Sequence, residues 1–147
     1  MYFVHRRIVP AVKRVAFVSD MLSYIVLRVL WRNIIVVHVH ATSEEKSEKS
    51  KDSFYEELER VFYHFLKYHM KILIGDFNAR VGREIIFKPT IGQEGLHQDS
   101  NDNGVRIVNF ATSKKWCLRA RCSLTGTFIN TPGPPLMVRL KTRLTTY

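Results

Sequence analysis

The chain has 147 residues, 46% hydrophobic and 24% charged; this is enough apolar material for one domain with a core, and it argues against wholesale disorder or two full domains. Lys and Arg number 23 against 13 Asp and Glu, a net charge of +10, which either suits a polyanionic partner such as nucleic acid or reflects loosely constrained basic tails. Two cysteines, Cys117 and Cys122, are too few for a disulfide framework or a zinc module and fit a reducing compartment.

Met1 to Val9 is read as a strand with a basic edge, because Arg6 and Arg7 interrupt any secretory apolar run. Arg14 to Ser19 reads as a second extended segment. Tyr24–Leu30 and Ile34–His40 are rich in β-branched residues and are separated by Trp31-Arg32-Asn33, a hairpin-length connection. Met21 to Trp31 is the most apolar stretch, but it is about half the length of a membrane span and carries Arg28. The expected address is therefore intracellular, nuclear or cytoplasmic, with no membrane partner. Ser43 to Ser50 is expected to be a solvated loop leading into a helix. Phe54, Leu58, Val61, Phe62, Phe65 and Leu66 fall on one face of that helix, and Ser53 with Glu56 forms a capping-box pattern at its start. Met70 to Asp76 reads as a buried strand, which after a helix gives an α/β signature. Residues 77–100 are loop-rich. Asn101-Asp102-Asn103 caps a second helix running from Gly104 to about Lys114, and Cys117 to Leu124 reads as another strand. These boundaries divide the chain into a domain over 1–124 and an irregular basic tail over 125–147.

The acids are more informative than the bases. Residues 1–43 hold six bases and one acid, Asp20; residues 44–60 hold seven acids and four bases; residues 111–147 hold seven bases and no acid. A site built from several carboxylates must therefore draw on the middle of the chain.

The sharpest local signal is Ile72-Leu73-Ile74-Gly75-Asp76-Phe77-Asn78. Active sites of α/β sheets lie at the carboxyl ends of strands. Asp76 there either holds a water and takes its proton or caps the turn after the strand, the commoner use of such a residue. The Asn78 amide can donate to a phosphate oxygen. His38 and His40 face one side of the preceding strand, as a metal pair or as a phosphate contact; zinc needs a third ligand, for which His5 is the one distant candidate.

Gly75-Asp76-Phe77-Asn78 resembles the Gly-Asp-Phe-Asn motif of the endonuclease/exonuclease/phosphatase superfamily, which includes pancreatic-type deoxyribonuclease, abasic-site endonuclease and the endonuclease domains of non-LTR retrotransposons. Val39-His40-Ala41 with Glu44-Glu45-Lys46, Lys51 to Leu58, Lys67 to Leu73, Phe87 to Gly92 and Ser100 to Lys114 extend the resemblance from about Phe3 to Lys115. These segments look like the retrotransposon-derived group often called craniofacial development protein 2-like.

The resemblance implies a deoxyribonuclease-like two-sheet α/β sandwich, present here in part, and a magnesium-dependent phosphodiesterase acting on DNA. It assigns Asp76 to the metal and the attacking water, and Asn78 and His40 to the phosphate. It also implies losses. The family's metal-binding Glu belongs to strands upstream of Glu44, and its late Asp-His pair follows Asp102 in chain order; this chain has no Glu before Glu44, no acid after Asp102 and no His after His97. Thr127-Phe128-Ile129 weakly echoes the family's late Thr-Trp strand. Thr42 stands where the family usually has Pro. The expectation is a domain truncated at both ends, with weak activity or none, or alternatively a non-catalytic basic nucleic-acid-binding module. Nothing in the pattern identifies a protein partner.

Overall fold

The computed structural model describes residues 5–82, 98–120 and 125–130, with side chains over 5–82 and 98–116. A 3-10 turn, Val9–Ala11, leads into β1 (Val12–Phe17), β2 (Leu22–Val29) and β3 (Arg32–His40). Next come α1 (Glu48–His64), β4 (Met70–Asp76), α2 (Asp102–Ser113), β5 (Cys117–Ala120) and β6 (Thr125–Asn130). The strands form one mixed six-stranded sheet in the order β1-β2-β3-β4-β6-β5. β3 and β4 are parallel, the pairing that a helical crossover such as α1 permits. The other neighbouring pairs are antiparallel.

Period-two alternation sets which residues enter the core. Leu22, Tyr24 and Val26 of β2, Ile35, Val37 and Val39 of β3, and Leu73 of β4 form one buried cluster with Phe54, Leu58 and Val61 of α1 and Ile107, Val108 and Ala111 of α2. Both helices therefore cover the same face. Phe62 meets Trp116 edge-on at 5.0 Å between ring centres and Phe110 at 6.4 Å, closing the seam between α1 and α2. The opposite face carries Ile25, Leu27, Ile34, Val36, Ile72 and Ile74, so the central strands are apolar on both sides, as strands enclosed between two layers are. Among the described residues there is one sheet.

Several sequence expectations change. Residues 5–11 form turns and the 3-10 segment rather than a strand, with Pro10 inside it. The hairpin turn is Leu30-Trp31, one residue earlier than expected, because Arg32 already pairs with Val29. Helix α1 starts at Glu48, capped by Ser47, whose hydroxyl accepts the Ser50 N–H, so Ser53 lies inside the helix rather than at its cap. The apolar period could not reveal this start, because polar contacts to α2 hold the first turn. Lys51 Nζ donates to Asp102 at 3.0 Å, and the Arg106 guanidinium donates to Asp52 at 2.6 Å and to Glu48. Thr125–Asn130, expected to begin an irregular tail, is a strand paired with β4. Of the expected strand over 117–124, residues 117–120 are β5. Residues 121–124, the tail beyond 130 and most of the 77–100 loop lie outside the described residues.

Candidate functional site

The parallel register of β3 and β4 pairs Val39 with Gly75 and His40 with Asp76. Two of the residues singled out in the sequence thus sit side by side at the carboxyl ends of adjacent strands, where α/β sheets present their chemistry. The Ala41 N–H donates to the Asp76 carbonyl at 2.8 Å and continues the pairing one step past β3. His40 is exposed, and Asp76 and Asn78 are half-buried.

Asp76 does act as a turn cap: its Oδ1 accepts the Asn78 N–H at 2.9 Å. Asn78 has φ +47°, a left-handed conformation that Asn tolerates better than most residues. Its Nδ2 donates to the Ala41 carbonyl at 2.8 Å, tying the loop after β4 to the loop after β3. The turn-cap reading accounts for one carboxylate oxygen. It leaves the position of Asp76 beside His40 unexplained by local need.

A layer of amides behind these residues went unrecognised in the sequence. Asn103 is buried, and its Nδ2 donates to the Thr42 carbonyl at 3.0 Å and the Asn78 carbonyl at 3.1 Å. It therefore brackets both loops that leave the site. Asn101 caps α2 as expected, its Oδ1 accepting the Gly104 N–H at 2.8 Å, and the same oxygen accepts the Arg80 N–H at 2.8 Å. Glu44, expected in a solvated loop, accepts from Asn101 Nδ2 at 2.9 Å and from the Asp102 N–H at 3.3 Å. The signal in the sequence was Asn-Asp-Asn-Gly, which explains a helix cap with its first Asn alone and leaves the third residue over.

Among the described residues no group of three or more His, Cys, Asp or Glu side chains could hold a metal ion. Beside Asp76 stands an imidazole, whereas magnesium takes oxygen ligands. Among the described residues the donors beside Asp76 do not fit a firmly held magnesium ion. His38 lies on the His40 side of β3 and is exposed; neither histidine belongs to a metal-binding group among the described residues.

Partial loss of solvent around its ring holds the His38 imidazole below its ordinary pKa of 6.5 although the residue reaches the surface, and the nearby His40 adds to the effect. At the other end of the sheet His69 is held below the same value, first by burial and then by the Lys71 and Lys13 charges. Its Nδ1 accepts the Asn33 N–H at 3.3 Å. Both groups favour the neutral ring in the folded chain. Their contribution to stability is whole above pH 6.5 and is lost as the pH falls through the lowered folded-state values. The expected result is a urea midpoint that drops between about pH 7.5 and about pH 5.5. The drop is smaller in His69→Asn, which keeps an acceptor for Asn33 and does not titrate. An equal drop in both proteins would remove His69 from this account.

The fold is an α/β arrangement of one mixed sheet with two helices on one face. One solved structure it resembles is the endonuclease domain of TRAS1, a telomere-specific non-LTR retrotransposon, with a TM-score of 0.52 and 15% sequence identity over 75% of this chain and 48% of that one. This chain spans about half the length of that domain. No family model and no curated protein matches the chain. No helix among the described residues is long and apolar enough to cross a membrane.

Proposed function

We propose that the chain is the central part of an endonuclease/exonuclease/phosphatase-type domain of the retrotransposon-derived, craniofacial development protein 2-like kind, whose ancestral reaction is magnesium-dependent hydrolysis of DNA phosphodiesters. The observation that carries this reading is the pairing of His40 with Asp76 at the ends of parallel strands, in a fold like that of a retrotransposon endonuclease domain. The apolar second face of the sheet supports the two-sheet sandwich, since a face lined by Ile25, Ile34, Val36, Ile72 and Ile74 needs a covering layer.

In this reading Asp76 orients the attacking water and receives its proton. The exposed His40 imidazole and the second N–H of the Asn78 amide contact the scissile phosphate. Among the described residues Asp76 belongs to no group of three or more His, Cys, Asp or Glu able to hold a metal ion, so in this reading the chain taken by itself hydrolyses DNA poorly. Groups that act as a unit lose most of their effect when members are missing.

Nicking of supercoiled plasmid in magnesium tests the reading. The expected rate is about 10³-fold or more below that of a complete domain of this type, and what remains disappears in Asp76→Ala. Nicking that persists unchanged in Asp76→Ala would overturn the assignment of the site. Rapid nicking that depends on Asp76 would keep the site and overturn the impairment.

A further inference from the structure

The end of the sheet opposite His40 and Asp76 carries features that neither folding nor the hydrolytic site requires. The β2–β3 turn exposes Leu30 and Trp31, at 88% and 86% of their surfaces. Leu30 has φ +47°. Two-residue hairpin turns normally give positive-φ positions to Gly, Asn or Asp, because a side chain there is strained. Here a bulky apolar pair occupies the turn, against local preference and with no burial in return.

The surroundings of this tip narrow what it could bind. Arg28 and Arg32 flank it, and all five residues from Arg28 to Arg32 are exposed. The Asn33 N–H donates to His69 Nδ1, which brings the loop before β4 against the base of the hairpin. That loop presents Lys67 and the 54%-exposed Tyr68. Lys13, on β1, is exposed and close enough to influence His69. No acid occurs in 8–14, 27–34 or 65–71. Two exposed aromatic rings set among cations, with no carboxylate in these segments, match the combination that holds single-stranded nucleic acid: bases stack on rings while phosphates meet Lys and Arg.

We propose that this end of the sheet, with Trp31 and Tyr68 as stacking faces and Arg28, Arg32 and Lys67 as phosphate contacts, is a binding site for single-stranded nucleic acid. It is separate from the candidate cleavage site: β3 runs nine residues from Arg32 to His40, so about 25–30 Å lies between them. The proposal does not depend on hydrolysis, and it would stand if plasmid nicking failed altogether.

Anisotropy of fluorescein-labelled oligothymidylate, titrated with the full chain, tests it. Trp31→Ala is expected to weaken binding about tenfold, the lower part of the range for loss of one stacked base. Trp31→Phe, which keeps a ring, recovers most of that loss. Arg32→Gln lowers the salt dependence by about one unit of slope. Phe17→Ala, at a 71%-exposed aromatic on the edge strand, binds as the parent does. All the substitutions are at exposed positions, and circular dichroism checks that each variant is folded. Absence of oligonucleotide binding by the parent would overturn the proposal, and so would equal binding by Trp31→Ala. Binding to phosphatidylserine vesicles in place of the oligonucleotide, lost in Trp31→Ala, would also overturn it and identify the tip as a membrane contact.

Discussion

Gly75→Ala is expected to leave no cooperatively folded chain. Gly75 has φ +143°, outside the range L side chains readily adopt. A Cβ added there would lie 1.9 Å from the Val39 carbonyl oxygen, 2.8 Å from the carbonyl carbon and 2.9 Å from the Val39 nitrogen. Every one of these atoms is backbone, so none can swing aside. Relief requires β3 and β4 to part at the step next to His40 and Asp76. The loss should exceed about 4–5 kcal/mol, which is comparable to the whole stability of a modest domain. Urea unfolding followed by far-ultraviolet circular dichroism reads this directly. A midpoint close to that of the parent would mean that the close approach of the two strands at Gly75 is wrong.

The second large effect is at Asn103. Asn103→Ala removes two hydrogen bonds and leaves the Thr42 and Asn78 carbonyls without that donor. The expected cost is about 2–4 kcal/mol. Amide hydrogen exchange should also quicken at Ala41 and Asn78, whose N–H groups hold the loops to Asp76. Asn103→Asp is expected to be worse at neutral pH, because it turns a buried carboxylate toward two carbonyl oxygens. Burial there raises the folded-state pKa of the new acid, so its stability deficit relative to the parent shrinks as the pH falls and the carboxyl gains a proton to donate. Equal deficits at neutral and acid pH would show that Asn103 fills space and does not bracket the loops.

These two residues illustrate how differently the site is written in the sequence. Gly75, Asp76 and Asn78 form a contiguous motif that the eye can find, and the strand before them is legible from its apolar run. Asn103 lies 25 residues further on. Its role follows from the loops after β3 and β4 meeting at the start of α2, which no local pattern encodes. Glu44 is similar: it sits in an acidic run that looks solvated, yet it holds the α2 cap. Turn propensity and charge explain a residue's neighbours along the chain, but not those that the sheet brings to it.

The elements divide on the same principle. β2, β3, β4 and the buried face of α1 are set by local periodicity, since β-branched alternation and i, i+4 spacing need no partner to be recognised. The α2 cap at Asn101 is likewise local. The start of α1 was decided by Lys51 and Arg106 reaching across to α2 and back, contacts invisible to an apolar pattern. β6 was decided by the sheet. Thr125–Asn130 has no strong strand pattern, and it becomes a strand because the edge of β4 offers backbone partners, with Gly126 opposite Gly75.

The sequence by itself determined the α/β class, the central strands and the Gly-Asp-Phe-Asn segment, because each depends on residue order alone. Only the tertiary structure decided that His40 stands beside Asp76, that Asn103 locks their loops, and that Trp31 and Tyr68 share the far end of the sheet. Each of these depends on strand register, which is fixed when distant segments pair and the core closes over them.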